Sequence, residues 1–260
     1  MPQSVLDLFR IDGKTALVTG ANGGIGGAIA EALAEAGANI IILQVPGDTS
    51  TATKDTLARL PVEVNVYDCD LAKVDEIKQC VTDITSRDGH QIDILVNCAG
   101  ISGHKAIVDM DDDFRDRVFN INMRANYILT QEVGKHMIAA GKGGKVLNIS
   151  SLAGMVAMTN ISAYAGTKGA VNQFTSAFAN EWAVHNIQVN CLCPGYILTP
   201  LTRNLYENNP AFKESILSRT PMGRWGVPED LKGIALFFCS PASDYITGVR
   251  MPVDGGMHGR

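Results

Sequence analysis

The chain has no apolar run approaching the about 18 residues that a membrane-spanning helix requires, so no transmembrane segment is expected. Residues 1–14 lack a basic patch followed by an apolar stretch; no secretory leader is read there, and the expected location is the cytoplasm. A basic block is also missing. With 22 Lys and Arg against 27 Asp and Glu the net charge is −5, which argues against nucleic acid or an anionic membrane as partner and leaves small molecules. Cys69, Cys80, Cys98, Cys191, Cys193 and Cys239 are scattered without metal-site spacing, so they read as small buried side chains in a reducing compartment and no metal is expected. The acidic run at 109–113 precedes a helical stretch and reads as capping and solvation. No repeat, low-complexity tract or Gly/Pro/Ser-rich linker divides the chain, so one domain over 1–260 is expected.

What is present is a core-forming composition, 46% hydrophobic and 19% charged, arranged in alternation. Apolar or β-rich runs at 14–19, 39–43, 62–66, 92–97, 145–150, 187–192 and near Val249 read as strands. Helical patterns lie between them, at about 24–37, 50–59, 72–86, 112–140, around 164–168 and at 228–239. Seven strands alternating with helices predict an α/β fold of the Rossmann type, a doubly wound parallel sheet flanked by helices. Residues 199–227, with Pro200, Pro210 and Pro221 inside them and Pro228 just beyond, read as an irregular segment and a candidate lid.

Two stretches carry chemistry. Between the first strand and first helix, residues 19–26 read TGANGGIG, glycines that let a backbone approach a pyrophosphate at a helix N-terminus. Farther on, Ser151 follows an apolar strand, and Tyr164 and Lys168 lie four apart, on one face of a helix. A phenol with an ordinary pKa of about 10 is a poor base at neutral pH, and an adjacent ammonium favours its charged form.

These stretches, with NCAG at 97–100 and PGYILT at 194–199, occur together and in order, and the chain resembles the short-chain dehydrogenase/reductase family over almost all its length. The resemblance implies an NAD(P)-dependent oxidoreductase moving a hydride between nicotinamide and a secondary alcohol or ketone. It implies that Tyr164 is the general acid or base, that Lys168 depresses its pKa and binds the nicotinamide ribose, and that Ser151 holds the substrate oxygen. Asn122, preferred over Asn120, supports a water relay. The cofactor residues it implies are Gly20, Asn22, Gly24, Ile25 and Gly26 in the glycine turn, Gln44, Asp70 beside the adenine, Asn97 and Gly100, Tyr164 and Lys168, and Pro194, Ile197 and Thr199. A homotetramer is implied as well.

Cys98 stands where the family usually has a second asparagine and reads as packing beneath the site. Gln44 occupies the place of the usual NAD-selecting aspartate, while Val45 and Gly23 stand where a basic residue would serve NADP, so NAD is favoured over NADP. The C-terminal half resembles the branch of 2-deoxy-D-gluconate 3-dehydrogenase and gluconate 5-dehydrogenase, which ranks a sugar acid or polyol first as substrate. His104, Lys105 and Arg203 are candidate cations for a carboxylate; Met155, Met158, Asn160, Tyr196 and Tyr206 are further pocket candidates. A bulky specialised-metabolite ketone is the alternative substrate, and a non-catalytic dinucleotide-binding sensor or scaffold the alternative of another class.

Overall fold

Apolar alternation builds the centre of the molecule. Along β1 (Thr15–Thr19), Ala16 and Val18 join one apolar layer and Leu17 the other; along β2 (Asn39–Gln44), Ile40 and Ile42 part in the same way from Ile41 and Leu43. Successive side chains of a strand face opposite sides, so a strand covered on both faces reads as a near-continuous apolar run. With β3 (Val64–Asp68), β4 (Ile94–Asn97), β5 (Gly144–Ile149), β6 (Ile187–Pro194) and β7 (Arg250–Val253) they form a parallel sheet in the order β3-β2-β1-β4-β5-β6-β7. The computed structural model describes residues 4–259; Met1 to Gln3, which open the stretch read for a leader, and Arg260 lie outside it.

Nine helices lie along the described chain: α1 (Gly24–Glu35), α2 (Ala52–Leu57), α3 (Val74–Thr82), α4 (Asp112–Phe119), α5 (Ala125–Ala140), α6 (Ser162–Trp182), α7 (Pro200–Asn208), α8 (Pro210–Arg219) and α9 (Lys232–Cys239). Ile29 and Leu33 of α1 and Phe238 of α9 cover one face of the sheet. Ile77 of α3, Leu129 and Val133 of α5 and Phe178 of α6 cover the other. Each such side chain, fully buried, contributes about 1.5–3 kcal/mol. β1 pairs with β2 on one side and β4 on the other, so the chain leaves in opposite directions and a crevice opens at the carboxyl ends of the strands.

Three expectations are corrected. The third strand begins at Val64, two residues later than the apolar run suggests, because its pairing with Ile40 starts there. The helix expected over 112–140 is interrupted by a π-helical turn, Asn120–Arg124, of the kind that often marks functional sites. The segment expected to be irregular contains α7 and α8. Thr199 caps α7 with Pro200 after it, and the Asn209 side chain accepts from the Phe212 N–H to cap α8 with Pro210 after it. Those prolines sit in the first helical turn, where a missing N–H costs nothing, and so start helices that they seemed to forbid. The acidic run behaves as expected: Asp111 caps α4 through the Phe114 N–H at 2.8 Å, and Asp112 pairs with Arg115 at 2.7 Å.

Candidate active site

The glycine turn joins β1 to α1, and two of its glycines, Gly20 and Gly26, are required by contact. A Cβ on Gly26 would stand 2.2 Å from the Gly20 carbonyl oxygen, and one on Gly20 would stand 3.0 Å from the Ala99 backbone. Their absence lets the turn fold flat against the β4 loop. The Thr19 hydroxyl fastens that loop by accepting from the N–H groups of Cys98 and Ala99, each at 3.0 Å. The resulting cleft, of about 420 Å³, is lined by Gly20, Asn22, Gly24, Ile25, Gly26, Gly100, Ser151, Tyr164, Lys168, Pro194, Ile197 and Thr199, among others. The N-terminal amides of the 12-residue α1 open towards it, a favourable place for a pyrophosphate. The cleft fits a dinucleotide: glycine clears its floor, and two buried acceptors at its edge, Asn22 Oδ1 and Gln44 Oε1, have no protein partner.

Three cofactor candidates stand outside that lining. Asn97 is buried, and its Nδ2 donates to Thr130 Oγ1 at 2.8 Å and to Asn148 Oδ1 at 2.9 Å, tying β4 to α5 and β5. Its side chain is therefore committed to packing. Asp70 caps the turn before α3, accepting from the Ala72 N–H at 2.9 Å, and is absent from the cleft lining. Gln44 stands beyond the lining at the end of β2 and faces Asp68. Cys98 lines the cleft wall, and burial pushes its thiol up to about 12, so it stays neutral.

The catalytic candidates converge from three elements. Ser151 ends the β5 segment and its Oγ accepts from the Ala153 N–H at 3.1 Å, starting a short 3-10 turn, Leu152–Gly154. Gly154 lets that turn lie on α6: a Cβ there would meet the Lys168 backbone at 2.7 Å. The Asn172 amide holds the contact by donating to the Gly154 carbonyl at 2.9 Å. On α6, Tyr164 and Lys168 share a face, with Nζ 5.6 Å from the Tyr164 ring centroid. Lys168 is 5% exposed, and its ammonium donates to the Ile149 carbonyl at 2.8 Å, while its own carbonyl accepts from the Ser150 hydroxyl at 3.0 Å. Asn122, carried by the π-helical turn, accepts from the Ile101 N–H and donates to the Ile101 carbonyl, each at 2.8 Å. Asn120 instead lines a groove on the outer side of α4 and α5. Ser150, Gly154 and Asn172 were not singled out from sequence, since their roles depend on contacts between β5 and α6.

Beside the cleft lies a second chamber of about 300 Å³ that shares Ser151, Tyr164, Pro194, Gly195, Leu201 and Thr202 with it. Ser102, His104, Met158, Tyr196, Asn204 and Leu205 complete much of the wall. Of the cation candidates, His104 alone reaches this chamber among the described residues; Lys105 pairs with Asp111, and Arg203 with Glu207 at 3.1 Å. Burial pushes the Tyr196 phenol above its ordinary range, so it serves as a neutral hydroxyl. Tyr206 stacks on Trp225 at 5.2 Å, within the cluster that seats α7 and α8. Met155 and Asn160 lie outside the chamber lining. Among the described residues no group of three His, Cys, Asp or Glu side chains is placed to hold a metal, and no helix is long and apolar enough to cross a membrane.

Comparison with known proteins agrees with this geometry. A family model described as enoyl-(acyl carrier protein) reductase matches residues 20–258. The 2-dehydro-3-deoxy-D-gluconate 5-dehydrogenase of Bacillus subtilis (strain 168) is 41% identical over 254 residues, covering 96% of each chain. The protein of that name from Escherichia coli (strain K12) is 38% identical over 253 residues, covering 97% of this chain and 98% of its own. A gluconate 5-dehydrogenase of Burkholderia cenocepacia J2315, solved in complex with NADP and tartrate, superposes with a TM-score of 0.91 at 37% identity, covering 99% of this chain and all of its own. Similarity of that extent reaches every strand of the sheet and both stretches that carry the chemistry, so the chain belongs to the short-chain dehydrogenase/reductase family and is an NAD(P)-dependent oxidoreductase acting on CH–OH donors.

Proposed function

We propose that the protein interconverts a hydroxyl and a ketone on a small sugar acid, with Ser151, Tyr164 and Lys168 as its catalytic side chains and Asn122 as a positioning residue. The observation that carries this reading is the chamber of about 300 Å³ that meets the dinucleotide cleft at Ser151 and Tyr164. That volume is at the low end of the about 300–1,000 Å³ of typical ligand pockets, which suits a short polar substrate better than a bulky ketone. The relatives named for gluconate-type substrates point the same way.

When bound, the nicotinamide supplies or accepts the hydride. Tyr164 then takes the hydroxyl proton during oxidation and returns it during reduction. Ser151 Oγ has its acceptor side engaged by the Ala153 N–H, which leaves its proton to hold the substrate oxygen. The Lys168 ammonium, anchored on the Ile149 carbonyl, keeps further donors for the nicotinamide ribose and stands beside the Tyr164 ring. Asn122, locked onto Ile101, supports the water relay that carries protons to Lys168.

His104 is the side chain proposed to recognise the substrate carboxylate. Its replacement by alanine is expected to raise the KM for D-gluconate about tenfold with kcat little changed, because the contact is equal in ground and transition states. The KM for the neutral counterpart D-glucitol should hardly move. Equal changes for both compounds would remove His104 from this role.

A homotetramer is also proposed. The groove on α4, α5 and α6 is lined by Phe119, Met123, Tyr127, Ile128 and Phe174, with Asp116 and Arg124 at its rim, and Tyr127 is 38% exposed. An apolar strip with charges of both signs beside it suits a second copy of itself. Light scattering coupled to size exclusion should give four times the chain mass; a monomer mass would refute this.

A further inference from the structure

The adenine side of the cleft is rimmed by acceptors, and we propose that Asp48, in the loop after β2, is the residue that makes the site choose NAD over NADP. This rests on the dinucleotide reading above and names the group that discriminates. Gln44 closes β2 about 20 residues beyond the glycine turn, where dinucleotide sites of this topology read the ribose hydroxyls. A carboxamide there is neutral and offers both a donor and an acceptor, so by itself it does not settle the cofactor.

The neighbours settle it. Gln44 Nε2 donates to Asp68 Oδ1 at 2.8 Å and lies 3.4 Å from the Asp48 carbonyl oxygen. Asn22 Nδ2, from the glycine turn, donates to Asp48 Oδ2 at 2.6 Å. Ionised carboxylates only accept, so each amide must turn its NH₂ towards its carboxylate and its oxygen away. Those two oxygens, Asn22 Oδ1 and Gln44 Oε1, are buried and have no protein partner. Asp48 also accepts from the Ser50 N–H at 2.7 Å, and hydrogen bonds from Ser50 and Asn22 hold its carboxyl below the usual carboxylate range. It is therefore ionised at neutral pH.

The rim thus lacks donors to its free acceptors and carries negative charge. The 2′- and 3′-hydroxyls of the NAD ribose are donors and satisfy it. A 2′-phosphate brings a charge of about −1.5 to −2 and almost no donor protons, and meets Asp48 and Asp68 instead. Lys54 of α2 attracts Asp48 through space, but among the described residues no ion pair within 4.0 Å neutralises Asp48 or Asp68. The NADP carried by the Burkholderia cenocepacia structure does not transfer to this chain on overall likeness, because the choice depends on a few side chains in one loop.

The test is a pair of fluorescence titrations, NADH and NADPH, on the wild-type protein and on Asp48→Asn, with AMP and adenosine 2′,5′-bisphosphate as competitors and thermal melting to verify folding. Wild type should bind NADH at least about tenfold more tightly than NADPH, and AMP more tightly than the bisphosphate. In Asp48→Asn the NADPH affinity should rise about tenfold while NADH weakens by no more than about threefold, narrowing the ratio. A wild type that prefers NADPH, or a folded variant with an unchanged ratio, overturns the role of Asp48 and leaves the oxidoreductase reading intact. If neither nucleotide binds the wild type, the dinucleotide reading itself fails.

Discussion

Replacing Tyr164 by phenylalanine is expected to lower kcat by about 10²–10⁴-fold, the range over which a positioned proton donor or acceptor accelerates a reaction. The ring is retained, so its packing and its 5.6 Å approach to the Lys168 ammonium need not change. What is lost is the hydroxyl of a residue that lines both the cleft and the chamber. NADH affinity should therefore stay within about threefold of wild type, which separates lost proton transfer from a damaged cofactor site. Steady-state kinetics with either cofactor, read beside a fluorescence titration, makes the comparison. Turnover at the wild-type rate would assign the proton to another group, and Tyr196, the other phenol in the chamber, would be the next to replace.

The second large effect is expected from Gly26→Ala. The new Cβ would sit 2.2 Å from the Gly20 oxygen and 2.7 Å from the Gly20 carbonyl carbon, both backbone atoms held by the turn. A flexible side chain has no part in the clash, so relief requires moving α1 away from β1 or opening the turn. Overpacking of a rigid site costs about 1–3 kcal/mol and occasionally more, which for a chain of this size lowers the melting midpoint by about 5–10 °C. Opening the turn also removes α1 amides from the pyrophosphate position, so NADH affinity should fall by about 100-fold or more. Gly23 is a control: it borders the same cleft, yet a Cβ there meets nothing within 4 Å. Its φ of +158° lies at the edge of the range that disfavours side chains, so Gly23→Ala should be much milder. Equal melting points and equal affinities for Gly26→Ala and the wild type would contradict the packing argument.

Much of the architecture is legible before any coordinates. The alternation of apolar runs with helical patterns announces a parallel sheet because a strand covered on both faces is apolar along most of its length; 40–43, Ile-Ile-Ile-Leu, is such a run and is buried throughout. The edge strand β3 is less legible. Its buried and half-buried positions mix with exposed ones such as Val66, 42% exposed, so apolar content there does not mark where pairing begins. The two helices α7 and α8 were hidden for a different reason. Pro200 and Pro210 read as breakers until Thr199 and Asn209 are recognised as caps immediately before them.

The candidate site divides along the same line. Tyr164 and Lys168 are close because four residues of helix make one turn, a local rule that sequence spacing carries by itself, and the glycine turn carries its meaning in its composition. By contrast, the place of Ser151 depends on Gly154 lying against α6, and that of Asn122 on a π-helical turn that no periodicity announces. His104 separates from Lys105 and Arg203 only when the chamber lining and the ion pairs of the other two are known. Asp48 is the extreme case. In sequence it is one acidic residue in the loop after β2, and it acquires a role only because β1, β2 and β3 lie side by side, bringing Asn22, Gln44 and Asp68 to one rim. Sequence alone determined most of the elements, the parallel character of the sheet and the local pairing of phenol with ammonium, since these follow from periodicity and short-range geometry. The tertiary structure decided that His104 lines the chamber beside Ser151 and Tyr164 and that Asp48 and Asp68 stand beside Asn22 and Gln44, because these residues come from separate elements and only the packed sheet fixes their distances.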